Sequence, residues 1–253
     1  MTLSVIIITK NEEQNIHACL ESVVWADEII VVDSGSSDNT VGICKKLGAQ
    51  VHVMDWPGFG PQKNRALNLA TGDWVLSLDA DERVSSELRS EIQSVIANPV
   101  GAVAFRIPRS SSYCGRIMRH SGWWPDYVTR LFKRGYARFS NDLVHEHLIV
   151  ESKTATLRQP LQHEAFRDLE QVLHKLNGYS SAGAVMLLQR GRKATLASAV
   201  GHGLWTFIRT YFLHAGFLDG REGFMLAVSN AEGAYYRYLK AMLLAEKNAG
   251  TKK

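Results

Sequence analysis

Cysteine is scarce: Cys19, Cys44 and Cys114 are an odd, scattered set among 253 residues, which excludes both a disulfide framework and the paired spacing of a zinc site. A reducing cytosol is the expected home. No run of about 18 uncharged apolar residues occurs, so no membrane-spanning helix is expected. The opening MTLSVIIITKNEE has no basic leader and meets Lys10, Glu12 and Glu13 at once, so it reads as a first strand and not as a signal peptide. Internal repeats and low-complexity tracts are absent. Acids are thin in two regions: residues 106–138 hold eight basic side chains against Asp126 alone, and residues 158–253 hold 13 against seven. Such an imbalance suits an anionic partner, whether a membrane surface or a phosphorylated substrate, or else a merely solvated helical face. Nucleic acid is set aside because no recognition motif accompanies the charge.

What is present is the balance of a folded globular chain, 45% hydrophobic and 21% charged. LSVIIIT (3–9) and EIIVVD (28–33) are short apolar runs rich in β-branched residues, the pattern of strands covered on both faces. Between them Ile16, Leu20, Val23 and Val24 recur at helical spacing after Asn11, a candidate cap. A second helix is expected over Val41 to Leu47, ended by Gly48, then strands at 50–54 and 74–78 separated by a helix from about Pro61. Alternating strands and helices predict an α/β fold with a mostly parallel sheet, whose ligands bind beyond the carboxyl ends of the strands. After a helix over 85–97, shorter strands are expected at 102–107, 128–132 and 147–151, and from about Asp168 the chain turns helical.

The stretch WVLSLDADE (74–82) drives a buried strand straight into three carboxylates. Asp79 and Asp81 flank one small residue, and in an extended chain such positions share a side, so both are expected to face one ligand. Mg²⁺ or Mn²⁺ would keep them ionised and leave positions open for phosphate oxygens. An acidic turn capping the helix at Ser85 is the competing reading.

In this context SVIIITKNEE, VVDSGSSDNT and QKNRALNLATGDWVLSLDADE resemble, in order and spacing, the successive signatures of glycosyltransferase family two, of the GT-A fold. WADEIIVVDSGSSD, GFGPQKN, GWWPDYVTRLFKR, VHEHL and GFLDGREGF are similar to the branch that includes the lipopolysaccharide inner-core beta-glucosyltransferases. The resemblance implies a catalytic domain over 1–167, with a donor nucleotide half (1–100) and an acceptor half (101–167); residues 168–253 are expected to form a helical extension, whose basic, aromatic face suits either a membrane surface or packing on protein. It implies a UDP-sugar donor, with Thr9, Asn11 and Asp33 at the base and ribose, Lys63 near the diphosphate, Asp79 on the ribose or metal side, Asp81 on the metal, and His163 on the metal or diphosphate. Asp33 also suits a turn-forming role before Gly35.

The chemistry also requires a base, which in many relatives belongs to a Glu-Asp pair that this chain lacks downstream of the metal motif. Glu146, between two histidines, and Asp126, after two tryptophans, are the candidates. The implied reaction is inverting transfer of a hexose, glucose first, to a phosphorylated, lipid-linked inner-core saccharide by an enzyme peripheral on the cytoplasmic side of the inner membrane. Transfer to another cell-surface polysaccharide or lipid-linked acceptor is the alternative, as is a silent sugar-nucleotide-binding scaffold. A sugar-nucleotide pyrophosphorylase would want a glycine-rich, basic N-terminal loop that residues 3–13 lack. The aromatic segment 196–218 suits the lipid interface, or packing on the domain or on a second copy in a homo-oligomer.

Overall fold

The computed structural model describes residues 1–99, 101–140 and 147–250. In chain order the elements are β1 (Leu3–Thr9), α1 (Ile16–Glu21), β2 (Glu28–Asp33), α2 (Thr40–Lys46), β3 (Gln50–Val53), α3 (Phe59–Leu69), β4 (Trp74–Asp79), β5 (Glu82–Arg83) and α4 (Ser86–Ala97). There follow β6 (Ala104–Tyr113), β7 (Arg116–Ile117), β8 (Asp126–Lys133), β9 (Ala137–Phe139), β10 (Leu148–Val150), β11 (Thr154–Thr156) and β12 (Leu161–Phe166). The C-terminal part holds α5 (Leu169–Gln189), α6 (Leu196–Ile208), a π turn (Arg209–Leu213), a 3₁₀ turn (Gly216–Asp219) and α7 (Gly220–Gly250).

The main sheet runs β3-β2-β1-β4-β8-β6-β12-β5, with β7 and β11 on β6, while β9 and β10 pair apart from it. Its first four strands are parallel, and β8 then joins β4 antiparallel. Period-two alternation sorts β1 between two cores: Val5 and Ile7 pack with Ile16, Leu20, Leu88 and Ile92, whereas Ile6 packs with Val75, Ala66 and Phe132. Both faces are therefore covered, which is why these strands read as continuous apolar runs.

Two compact units result. Unit one is Met1–Ser110 with Asp126–His163; unit two is Ser111–Pro125 with the chain from Glu164 onward. The division differs from one at residue 167, because the end of β6 and the short segment after it fold with the C-terminal helices: Tyr113, Met118 and Trp123 pack with Phe166, Val172 and Leu226.

In unit two the starts of α5 and α6 are capped. Asp168 accepts from the Gln171 N–H at 2.8 Å, and Thr195 forms a reciprocal capping box with Ser198. The GFLDGREGF stretch makes a tight corner in which a Cβ on Gly223 would stand 1.9 Å from the Gly216 carbonyl oxygen. Buried Asp219 fixes this corner by accepting from the N–H groups of Arg119 and His120 and from Ser121 Oγ, each at 3.0 Å.

Local corrections have clear causes. Asn11 does not cap α1; it takes a left-handed conformation (φ 55°) and lies in the loop, while Asn15 precedes the helix. Val23 and Val24 fall in a turn after α1. Gly48, at φ 81°, does follow the end of α2, and Ser85 caps α4 through the Leu88 N–H.

Candidate active site

The carboxyl ends of β1, β2 and β4 come together at one edge of unit one. β1 and β2 are in register at Thr9 and Asp33, so the Thr9 hydroxyl reaches Asp33 Oδ2 at 3.0 Å. Asp33 is fully buried, and its Oδ1 accepts from the N–H groups of Gly35 and Ser36 while Oδ2 also accepts from Ser36 Oγ. Four donors fill a carboxylate's capacity. Asp33 thus organises the loop over 34–37, with Gly35 at φ 80° supplying the turn, and a nucleobase N–H would have to replace one of those donors. Asn11 belongs to the same loop system: its N–H donates to Ser36 Oγ and its Oδ1 accepts from Ser37 N–H, both at 2.8 Å.

From α3 to β8 runs a chain of alternating charge. Lys63, buried on α3, places Nζ 3.0 Å from Asp79 Oδ1. Arg130 of β8 donates through Nη2 to Asp79 Oδ2 and, at 2.6 Å, to Glu82 Oε1. Arg109 of β6 stands 3.6 Å from that same Glu82 oxygen and gives two N–H groups to Asp126 Oδ2, at 2.9 and 2.6 Å. Glu82 Oε2 closes the corner by accepting from the Asp79 N–H at 3.0 Å.

Three acids and three cations therefore alternate as Lys63, Asp79, Arg130, Glu82, Arg109 and Asp126. Burial pushes the Asp79 carboxyl upward, but Arg130 and then Lys63 outweigh it and hold it well below the usual carboxylate range. Glu82 moves the other way: burial raises it, Arg130 opposes, and the Asp79 charge adds to the rise. Burial works against the Arg130 charge, yet Asp79 and Glu82 together keep it above its ordinary value. Arg130 Nε, buried, has no hydrogen-bond partner among the described residues.

Asp81 stands outside this chain. β4 ends at Asp79 and the backbone turns at Ala80–Asp81, so the extended geometry that would put both aspartates on one ligand does not hold. Asp79 faces Lys63 and Arg130; Asp81 instead lies 3.5 Å from His163 Nε2, on β12, which pairs with β5. Both side chains are partly exposed. One carboxylate and one imidazole form a donor set that suits Mg²⁺ or Mn²⁺, with remaining positions for phosphate oxygens and water. Among the described residues no three His, Cys, Asp or Glu side chains form a ready-made metal cage.

Of the candidate bases, Asp126 is tied to Arg109 through Oδ2, and among the described residues its Oδ1 has no partner. Glu146 lies outside the described residues. The basic region 106–138 is only partly anion-facing, because Arg130 is buried in the charge chain and Arg109 is paired with Asp126. Arg130 and Glu82 were the residues that sequence reasoning undervalued. Pairing the arms around 106–109 and 126–130 as a hairpin would have exposed one link, since Arg109 and Asp126 are register partners.

A two-sided, mostly parallel sheet with a polar cluster at its strand ends defines an α/β domain of the kind whose ligands bind beyond the carboxyl ends of the strands. Residues 4–163 match the model for glycosyl transferase family 2. An uncharacterized glycosyltransferase of Rickettsia prowazekii is 33% identical over 97% of this chain and 88% of its own length. The lipopolysaccharide core biosynthesis glycosyltransferase LpsC of Rhizobium meliloti is 31% identical over 98% of this chain and 94% of its own. The crystal structure of residues 1–349 of TarS from S. aureus shares the GT-A fold, with a TM-score of 0.51 at 16% identity over 98% of this chain and 92% of that one. The chain belongs to glycosyl transferase family 2 and is a glycosyltransferase.

Proposed function

We propose that this glycosyltransferase moves a hexose, glucose first among candidates, from a UDP-sugar to a phosphorylated, lipid-linked saccharide of the lipopolysaccharide inner core, with inversion, at the cytoplasmic face of the inner membrane. The near full-length likeness to LpsC supports the acceptor class. The observation that carries the chemistry is the sorting of acids at the end of β4: Asp79 pairs with Lys63 and Arg130 while Asp81 faces His163, and this supports the Asp81–His163 pair as the holder of a divalent cation.

In this scheme Thr9, Asn11 and the Asp33 loop edge the base and ribose, and Asp79 orients Lys63 toward the donor diphosphate. A divalent cation, when bound, supplies neutralisation of charge on the departing phosphate oxygens. Proton removal from the acceptor hydroxyl is assigned to Glu146, because Asp126 already commits one oxygen to two guanidinium N–H groups. A single in-line displacement needs one base and no covalent intermediate, and a positioned base typically contributes about 10²- to 10⁴-fold.

The test is UDP release with a panel of UDP-sugars and dephosphorylated or intact core acceptors, with and without Mn²⁺. Transfer that is metal-dependent and favours the phosphorylated acceptor is expected; metal-independent transfer refutes the scheme. Glu146→Gln should lower kcat by about 10²-fold or more and Asp126→Asn much less. The reverse ranking moves the base to Asp126.

A further inference from the structure

Exposed large apolar side chains are unremarkable singly and informative when they gather. In unit two Leu204, Trp205, Phe212, Leu213, Phe217 and Leu218 are 49 to 65% exposed, within one stretch of α6 and the corner after it. Leu196 and Val200 extend the row by helical steps of four, while Ala199, Gly203 and Thr210 are buried. Gly203 lies against the backbone of Ala231 and the Cβ of Tyr235, so this inner side of α6 is already packed on α7.

Along the segment that carries this face the charge has one sign. Between residues 190 and 218 stand Arg190, Arg192, Lys193 and Arg209, and no acid. All four cations are exposed, and no ion pair engages them among the described residues. The next acid, Asp219, is buried and committed to the loop over 119–121. Trp and Phe with basic neighbours is the composition that settles at a lipid headgroup layer. Among the described residues no helix is long and apolar enough to cross a membrane, so such a face lies in the plane of the surface.

We infer that α6 and its following corner form an in-plane docking surface for an anionic lipid bilayer. A second copy is the poorer occupant: a two-fold contact through this face would set these cations against themselves with no acid to match. The inference deepens the proposed lipid-linked acceptor, but its test uses neither donor nor acceptor, so each reading can fail alone.

The full chain should co-sediment with vesicles of phosphatidylcholine plus phosphatidylglycerol, far less with phosphatidylcholine alone, and less as salt rises. Replacing three of the cations together (Arg192→Gln, Lys193→Gln, Arg209→Gln) should weaken anionic-vesicle binding by about 100-fold. Trp205→Ala with Leu213→Ala should weaken it by about tenfold or more and also remove the binding that survives high salt. Unchanged thermal melts of both variants would show that the losses belong to the surface. Equal binding to both vesicle types, or no loss on charge removal, overturns the proposal. So does a chain that ignores vesicles but sediments as a dimer dissociated by Trp205→Ala with Leu213→Ala.

Discussion

Arg130→Ala removes the side chain that bridges Asp79 and Glu82. Among the described residues Glu82, with no exposed surface, would keep the Asp79 N–H and, as its remaining cation, Arg109 at 3.6 Å, while Asp79 would keep Lys63. Breaking a buried ion pair by deleting one partner typically costs about 3–5 kcal/mol, because the remaining charge stays desolvated. That is a large share of the roughly 5–15 kcal/mol that stabilises a domain. The pH dependence has a definite sign. Burial already raises the Glu82 carboxyl and Arg130 is the chief influence opposing that rise, so its loss moves Glu82 further up. A carboxyl raised in the folded state contributes stability at low pH that is lost as pH climbs through its folded value. The deficit of Arg130→Ala should therefore be smaller near pH 5 than near pH 8. Urea unfolding followed by tryptophan fluorescence measures it at both pH values. Adding Glu82→Gln should recover part of the loss, with a coupling of about 1–3 kcal/mol between the two sites. A deficit below about 1 kcal/mol, equal at both pH values and additive with Glu82→Gln, would refute the idea of a buried, mutually dependent charge chain.

In the wild-type protein Asp79 has the opposite sign: its carboxyl is depressed by Arg130 and Lys63 against the pull of burial, so the stability it contributes is present above the unfolded aspartate value of about 4 and lost as pH falls below it. Urea midpoints at pH 3 and pH 5 should show that loss, with Asp79→Asn flattening it. Asp81→Ala should leave the melting temperature within a degree or two but abolish Mn²⁺ binding by calorimetry and transfer by UDP release, since Asp81 stands outside the charge chain. Retained Mn²⁺ binding would remove Asp81 from that role. Asp219→Ala strips the acceptor from two backbone N–H groups and Ser121 Oγ, and should cost about 2–4 kcal/mol in urea unfolding.

The first hundred residues were legible because their signals are local. Apolar runs that bury both faces marked β1 and β2 at their observed bounds, Ser85 announced the start of α4, and Gly48 the end of α2. Asp79, Asp81, Lys63 and His163 stood out as chemistry-bearing residues, and the structure brings them to neighbouring places in unit one. Their partnerships were not legible. Arg130 is 51 residues from Asp79, and Arg109 is 27 from Glu82.

Composition and periodicity by themselves determined the α/β class, the edge at which polar residues gather, and the basic, aromatic character of the C-terminal helices. Only the tertiary structure decided which acids are neutralised and which one is left beside His163. It alone also assigned Ser111–Pro125 to the helical unit. The physical reason is range: strand and helix signals arise from neighbours along the chain, whereas a buried charge takes its state from whichever side chains the fold carries to within a few ångströms.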